Sequence, residues 1–310
     1  MSTDLLEAPA PSPSGKDPAV AERRTMIQSS ARHTLKRRRS VALAIRILFG
    51  TCTVLTLIPL IALIAYVTKR GIDAMSVAFF THTPTPEGVS GGGISNAIVG
   101  SLIINGMALV IAMPFGLLVS LFLIERRGPI ANAIRFGADL LSGLPSILIG
   151  LFAYSIVVVH THFSAYSAAV ALAVLMLPII IRGDEEAMRT VPAELWEAGL
   201  ALGARQSRVV RSVIVRGAIP GLVTANLLAL ARAVGETAPL LFTTIGSQIF
   251  SLSINQPMNA LPIVIYQDGT TAFPQLQLDA WGSAFVLMLG VLVLSIVGRM
   301  FAARMTRKSR

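Results

Sequence analysis

The sequence has 310 residues, of which 54% are hydrophobic and only 14% are charged. Soluble globular domains carry about 25% charged residues, so this composition excludes an ordinary soluble protein and indicates an integral membrane protein. The net charge of +10 would suit a nucleic-acid-binding protein, but the basic residues lie beside apolar segments, which favours a membrane topology and no nucleic-acid partner.

The first 40 residues are polar, basic and rich in proline, serine and alanine. Such a segment has too few apolar residues to join a core, so residues 1–40 are predicted to form a disordered cytoplasmic tail. The basic run Leu35–Arg39 directly precedes the first apolar segment and is expected to fix the topology while contacting anionic membrane lipid. Residues 41–304 are predicted to form the transmembrane domain, and residues 305–310 a second cytoplasmic tail.

Apolar segments long enough to cross a bilayer recur along the chain, since a span needs about 20 mostly apolar residues. The fold class is therefore predicted to be all-α, with six transmembrane helices. Their approximate bounds are 44–67, 97–124, 138–159, 165–181, 219–243 and 280–302. The third and fourth are separated only by the short loop 160–164, so they are expected to form a hairpin.

The lysines and arginines are distributed unequally between the two sides of these spans. Of the 26 in the chain, 22 lie in residues 1–40, 125–137, 182–216 and 298–310, whereas the segment 68–96 on the opposite side carries two. Loops rich in lysine and arginine stay in the cytoplasm. Both termini are therefore predicted to be cytoplasmic.

Arg135 and Asp139 stand four residues apart at the cytoplasmic start of the third span. Residues at this spacing are neighbours on a helix surface. An ion pair between them at the membrane interface is the expectation.

The segment 182–219, between the fourth and fifth spans, has the features of two short helices joined by a glycine turn. Pro192 suits the first position of a helix, Glu194 and Glu197 suit the positive end of its dipole, and Gly203 can end it in a left-handed conformation. A second, basic helical segment is expected over roughly 206–216. On spacing alone, a solvated connector is the favoured interpretation of this segment.

Arg232 and Glu236 interrupt the apolar residues of the fifth predicted span, which places the arginine close to mid-membrane. A charge at that depth costs at least ~2.5–3.5 kcal/mol, so it requires an explanation. One is a self-neutralising pair, since the two residues are four apart. The other is an anion path, because a guanidinium stays charged and binds tetrahedral oxyanions with two hydrogen bonds, and Gly235 allows close approach. Charge alone would admit phosphate, sulfate or a carboxylate.

Enzymatic chemistry has no support in the sequence. There is no phosphate-binding loop of the form G-x-x-x-x-G-K-[ST], so the chain is not expected to hydrolyse ATP by itself. Paired carboxylates, a nucleophile–base set and a metal cluster are also missing, and His160 and His162 alone are a weak metal signal. Neither a cofactor nor a metal is predicted to bind this chain.

Two motifs resemble those of known transporters. "EAGLALGA", Glu197 to Ala204, is similar to the E-A-A-x-x-x-G coupling loop of ABC-importer permeases. Glu197, Ala198 and Gly203 match that pattern, while Gly199 replaces the usual second alanine. "ARAVGETAPLLFT", residues 231–243, resembles the signature of PstA-type permease subunits of the phosphate ABC importer. "LSGLPSILIGLFAY", residues 141–154, and "IIIRGDEEAMRTVP", residues 179–192, agree with that family, and the likeness covers about residues 77–303.

The resemblance implies a type I ABC-importer permease fold in a bacterial cytoplasmic membrane. This chain would pair with a PstC-type permease subunit and form half of the translocation path, lined by Arg232, Gly235, Glu236 and Thr237. The loop containing Glu197, Ala198, Gly199, Gly203 and Ala204 would contact one of two ATPase subunits, which use ATP and magnesium. An extracytoplasmic phosphate-binding protein would deliver the substrate. A permease for another oxyanion, of the sulfate or molybdate type, and a stand-alone ion-coupled carrier remain as alternatives.

Overall fold

The computed structural model describes residues 18–86, 89 and 91–308. Twelve α-helices are found in this part of the chain, and no strand. They are α1 (Pro18–Ile72), α2 (Val77–Thr81), α3 (Ser95–Glu125), α4 (Pro129–Gly143), α5 (Ser146–Ile156), α6 (Ala165–Arg189), α7 (Ala193–Ala201), α8 (Gln206–Val209), α9 (Val215–Val234), α10 (Ala238–Thr243), α11 (Leu261–Gly269) and α12 (Pro274–Lys308). A π-helical turn, Val210–Ile214, joins α8 directly to α9.

The predicted all-α membrane architecture is confirmed. Five helical segments are long and apolar enough to span a bilayer: Val41–Ile72, Ser95–Glu125, Ala165–Arg189, Gln206–Val234 and Pro274–Arg304. A sixth span results if Pro129–Gly143 and Ser146–His160, which are bent by 108° at their junction, are counted together. The chain divides into two units, Met1–Ala65 and Tyr66–Arg310, and the sites described below lie in the second.

The third predicted span, 138–159, is divided at Pro145 into two helices bent by 108°. The helix α4 ends at Gly143, and Leu144 adopts an extended conformation with ψ of 138°. Pro145 follows, and the ring of a proline disfavours the helical conformation of the residue before it. The apolar composition is continuous across the junction, but the backbone is not.

The fifth predicted span, 219–243, is likewise divided, and the spanning segment of the structure is Gln206–Val234. The helix α9 ends at Val234, Gly235 forms its C-cap, and α10 begins only at Ala238. Pro239 lacks the N–H group that a continuous helix would need. A break is thereby placed inside the stretch that carries Arg232 and Glu236.

The helix α6 lies at the centre of the core and packs against α3 and α9. Its buried face is rich in alanine, including Ala165, Ala168 and Ala169, none of which is exposed. Glycines bring the neighbouring backbones closer: a Cβ on Gly183 would lie 2.6 Å from Ala225 Cβ. Small residues at such contacts are typical of helix association in membranes, where close packing replaces the hydrophobic effect.

The helical ends extend beyond the predicted spans. The first helix, α1, begins at Pro18, within the segment predicted to be a disordered tail, and α12 continues to Lys308, within the predicted tail 305–310. Residues 1–17 and 309–310 of those tails lie outside the described residues. At the loop 182–219, α6 continues to Arg189 and the following span begins at Gln206.

Candidate functional site

Arg232 and Glu236 are brought together at the end of α9. Arg232 Nε lies 3.7 Å from Glu236 Oε1, which confirms the predicted contact. Glu236 lies beyond α9, however, which ends at Val234. The Gly235 N–H donates to Arg232 O at 3.2 Å and the Glu236 N–H to Ala233 O at 3.1 Å. Both bonds reach back three residues instead of the four of an α-helix. The side chain of Arg232 is 58% exposed and that of Glu236 is 20% exposed. At this distance the pair is electrostatic rather than hydrogen-bonded.

The antiparallel packing of α6 and α9 gives the level of Arg232 along the core. Asn226 of α9 donates a hydrogen bond to Asp184 of α6 at 2.9 Å, and a Cβ on Gly221 would lie 2.7 Å from Ala187 Cβ. Helices have the same rise per residue. Continuing six residues from Asn226 therefore sets Arg232 level with about Pro178, near the middle of the span Ala165–Arg189.

Arg232 belongs to the face of α9 that is turned away from the core. Ala229 and Ala233 are fully buried, whereas Leu228 on the outward face is 65% exposed. Gly235 leaves open space beside this face, since a Cβ there would meet only Arg232 O, at 3.9 Å. The guanidinium is therefore accessible to a partner chain or an anion at the level of the middle of α6.

Thr237, the fourth residue predicted to line the path, faces a different space. It lines a cavity of about 730 Å³ together with Arg70 of α1, Tyr266 of α11 and Trp281 of α12. Arg232, Gly235 and Glu236 are not among the residues that line this cavity. The structure thus groups three of the four predicted path residues and separates the fourth from them.

The break after α9 is held in place by α5. A Cβ on Gly150 would lie 2.8 Å from Pro239 Cα, so the two backbones are in close contact. Leu240 is 1% exposed within the main core, and Thr243 Oγ1 donates to Pro239 O at 2.7 Å. The segment that follows Glu236 is consequently fixed by packing rather than free to extend α9.

The loop between α6 and α9 contains the predicted short helix and glycine turn. The helix α7 follows Pro192 as its N-cap. Gly203 has a φ of +77°, a left-handed conformation that glycine adopts without steric cost. Its N–H donates to Leu200 O at 2.9 Å, and the Ala204 N–H donates to Gly199 O at 3.3 Å. These bonds close the end of α7 as the sequence predicts.

One face of α7 is anchored and the other is exposed. Trp196 packs on the buried cluster that contains Met188 and Ile214. Gly199 lies against Val209, because a Cβ at position 199 would come within 2.9 Å of Val209 Cγ2. This contact is a physical reason for glycine where similar loops have alanine. On the outer face, Leu202 is 88% exposed, and Glu197 and Ala198 are also exposed.

The predicted basic segment 206–216 is continuous with α9 rather than a separate helix. Val209, Val210 and Ile214 are at most 3% exposed and hold one side in the core. The opposite side carries arginines and serines that line a shallow depression: Arg205, Ser207, Arg208, Arg211, Ser212 and Arg216.

The predicted ion pair between Arg135 and Asp139 is wrong. Arg135 Nη2 instead lies 2.8 Å from Glu185 Oε1 of α6, and Asp139 pairs with Arg182 of α6. Arg189 also contacts Glu185 Oε1, at 2.7 Å. The cause is that α4 packs against α6, whose charged end offers closer partners than the same helix does. The sequence signal for these cross-helix pairs was the group of charged residues that follows the apolar part of α6.

The described residues contain no group of three or more histidine, cysteine or acidic side chains suited to a metal ion. His162 Nε2 lies 2.6 Å from Asn255 O, and His160 Nδ1 lies 3.1 Å from Ile156 O. The two histidines thus make local loop contacts.

Comparison with known sequences gives a consistent result. Residues 112–310 match the family described as binding-protein-dependent transport system inner membrane component. The chain is 40% identical to the phosphate transport system permease protein PstA of Yersinia pestis, over 76% of this chain and 81% of that protein. It is 36% identical to the phosphate transport system permease protein PstA 1 of Mycobacterium tuberculosis, over 89% of this chain and 92% of that protein.

Solved structures with the same fold are also ABC transporters. The inward-facing MetNI methionine ABC transporter matches with a TM-score of 0.58 and 24% identity, over 68% of this chain and 95% of that one. A bacterial alginate ABC transporter matches with a TM-score of 0.60 and 14% identity, over 86% of this chain and 94% of that one. At these identities the likeness concerns the fold.

Proposed function

Since the chain belongs to the family of binding-protein-dependent transport system inner membrane components, we propose that it is the permease subunit of an ABC importer for inorganic phosphate. Relatives 36–40% identical over most of the chain are named as phosphate permeases. The observation that carries the proposal within this molecule is the exposed guanidinium of Arg232, level with the middle of α6. A fixed positive charge at that depth suits an anionic substrate.

The chain is a multi-pass component of the bacterial cytoplasmic membrane and a transport subunit rather than an enzyme. Importers of this class work with an ATPase and a substrate-binding protein. In our proposal the membrane partner is a PstC-type permease subunit, two ATPase subunits use ATP and magnesium, and a phosphate-binding protein delivers substrate outside. Both termini lie in the cytoplasm, in agreement with the distribution of arginine and lysine.

Arg232 binds the anion transiently as it crosses the membrane. Its planar guanidinium can donate two parallel hydrogen bonds to an oxyanion. Glu236, 3.7 Å away, compensates that charge when the path is empty and limits how tightly the anion is held. Gly235 keeps the approach to Arg232 open. Thr237 would contact the anion in the separate cavity that it lines.

The exposed face of α7 docks on the ATPase. Glu197, Ala198, Gly199, Gly203 and Ala204 form this docking loop. The contact of Gly199 with Val209 joins α7 to α8, and the helical segment Gln206–Val234 continues from there to Arg232. Movement of the loop would therefore reach the proposed anion site through one continuous helical element.

Uptake by reconstituted vesicles tests this function. The complete assembly and the chain alone would be placed in proteoliposomes with ATP on the cytoplasmic side, and entry of labelled phosphate and of labelled sulfate would be measured. We expect ATP-dependent phosphate entry by the assembly only. Entry of sulfate but not phosphate would indicate another oxyanion, and transport by the chain alone would indicate an ion-coupled carrier.

A further inference from the structure

A carboxyl group and an amide are buried together between α6 and α9, about six residues before Arg232 along α9. Asp184 is 0% exposed and Asn226 is 6% exposed. Asn226 Nδ2 donates one hydrogen bond to Asp184 Oδ1 at 2.9 Å and another to Leu222 O at 2.8 Å. The remaining oxygens, Asp184 Oδ2 and Asn226 Oδ1, are buried without a hydrogen-bond partner.

These two unpaired atoms pose a chemical problem if Asp184 is ionised, because both are then acceptors. Exchanging the amide oxygen and nitrogen of Asn226 does not help, since an oxygen would then face the Leu222 carbonyl. Buried polar atoms are otherwise nearly always hydrogen-bonded. A proton on Asp184 Oδ2 would give both oxygens a hydrogen-bond partner.

The charges around Asp184 do not favour its ionised form. On its own helix, Arg182 pairs with Asp139, and Arg189 pairs with Glu185. Arg135 of α4, the third arginine near this end of α6, also pairs with Glu185. A fully buried carboxylate with a single hydrogen bond and no cation is costly, and such groups take up a proton instead.

We propose that Asp184 is a protonated carboxylic acid whose Oδ2–H donates to Asn226 Oδ1. With the observed bond from Asn226 Nδ2 to Asp184 Oδ1, this makes a reciprocal acid–amide pair in which both buried oxygens gain a partner. The arrangement is neutral, which avoids the cost of an unpaired charge between two membrane helices. The carboxyl group thus acts as a hydrogen-bond donor and not as a charge.

The pair acts as a positioning device for the helix that carries Arg232. It lies where α6 and α9 pack closely together, beside the contacts of Gly183 with Ala225 and of Gly221 with Ala187. Arg232 follows Asn226 by six residues on the same helix. This role in transport rests on the proposed function, whereas the protonation state does not.

Infrared spectroscopy of the purified assembly in lipid nanodiscs tests the protonation state directly. The spectrum of Asp184→Asn would be subtracted from that of the unaltered protein, in H2O and in D2O. We expect a difference band from the C=O stretch of a protonated carboxylic acid, which shifts in D2O. Absence of this band from the difference spectrum overturns the proposal. The measurement gives an answer whether or not the protein transports phosphate.

Three variants test the reciprocal pairing. Asp184→Asn should keep uptake within about twofold of the unaltered protein, because an amide can both donate to and accept from Asn226. Asn226→Asp should lower uptake, and the exchanged pair D184N/N226D should restore it. Loss of uptake in Asp184→Asn at normal membrane levels would show that the ionisable group itself is needed and would overturn the positioning role.

Discussion

Replacing Arg135 and Glu185 by glutamine, separately and together, should reveal an energetic coupling that Arg135 and Asp139 do not share. The structure pairs Arg135 of α4 with Glu185 of α6 and not with the residue one turn along its own helix. A matched pair of double-mutant cycles, one with Glu185→Gln and one with Asp139→Asn, separates the two possibilities.

The magnitude follows from the geometry. At the 2.8 Å between Arg135 Nη2 and Glu185 Oε1, Coulomb attraction is roughly 6 kcal/mol at an effective dielectric constant of about 20. Desolvation offsets much of this, since the Glu185 side chain is only 4% exposed. Arg189 contacts the same oxygen and partly replaces a lost Arg135. The net coupling between Arg135 and Glu185 should therefore be about 1–3 kcal/mol.

The assay is denaturant unfolding of the purified assembly in mixed micelles, with refolding checked for reversibility. The Arg135–Glu185 cycle should be non-additive by the amount given. The coupling in the Arg135–Asp139 cycle should be clearly smaller, because those two residues are connected only through Arg182 and Glu185. Additivity in the first cycle together with coupling in the second would refute the cross-helix pairing of α4 with α6.

Three further changes test other parts of the structure. Gly203→Val should lower uptake and transport-linked ATP hydrolysis, because its φ of +77° is strained for a β-branched residue by about 1–3 kcal/mol; unchanged hydrolysis at normal assembly levels would argue against this. Gly199→Leu should weaken binding of the ATPase in pull-down assays, because the leucine would overlap Val209. Adding Val209→Ala should restore ATPase binding, and failure of this rescue would contradict the contact between positions 199 and 209. Burial, and then the charge of Asp279, raises the pKa of Asp268 to about 6 from its usual value of 3.8, so the native state loses stability as pH rises through this window. Asp268→Asn should therefore raise the melting temperature at about pH 7.5 and have little effect near pH 4, and an equal shift at both pH values would contradict it.

Local sequence signals predicted the features that depend on one short segment. The lengths of the apolar runs indicated the spans, because bilayer thickness sets the length of a helix. Gly203 indicated the turn after α7, because its conformation is disfavoured for other residues. Arg232 and Glu236 were predicted to be able to pair because residues four apart share a helix face, and they are 3.7 Å apart although α9 ends between them.

Full breaks of the helices at Pro145 and Gly235 were not predicted, although their signals were present in the sequence. Pro145 and Pro239 both interrupt segments in which hydropathy is uniformly high, and hydropathy does not respond to backbone geometry. Reading the residue before Pro145 as extended, and Gly235 as a helix end, would have placed both breaks. The prolines thus carried more information than the apolar composition around them.

Contacts between helices could not be predicted from one sequence. Glu185 lies 50 residues from Arg135, and Asp184 lies 42 residues from Asn226. Each partner is determined by how far one helix slides along another, and that register depends on close contacts such as Gly183 with Ala225. The sequence shows that charges occur at the end of α6 but not which helix will face them.

Uptake of labelled phosphate by the Arg232→Gln variant tests the central claim most directly. The variant would be produced with its partner subunits in bacteria lacking their own high-affinity phosphate importer, with membrane levels checked by immunoblot. Arg299→Gln, which removes another exposed arginine from α12, is the matched control. We predict that Arg232→Gln lowers uptake at least about tenfold, equivalent to about 1.4 kcal/mol, while Arg299→Gln transports normally. Uptake by Arg232→Gln equal to that of the unaltered protein, at equal membrane levels, would show that the pair with Glu236 is structural and that the anion crosses elsewhere.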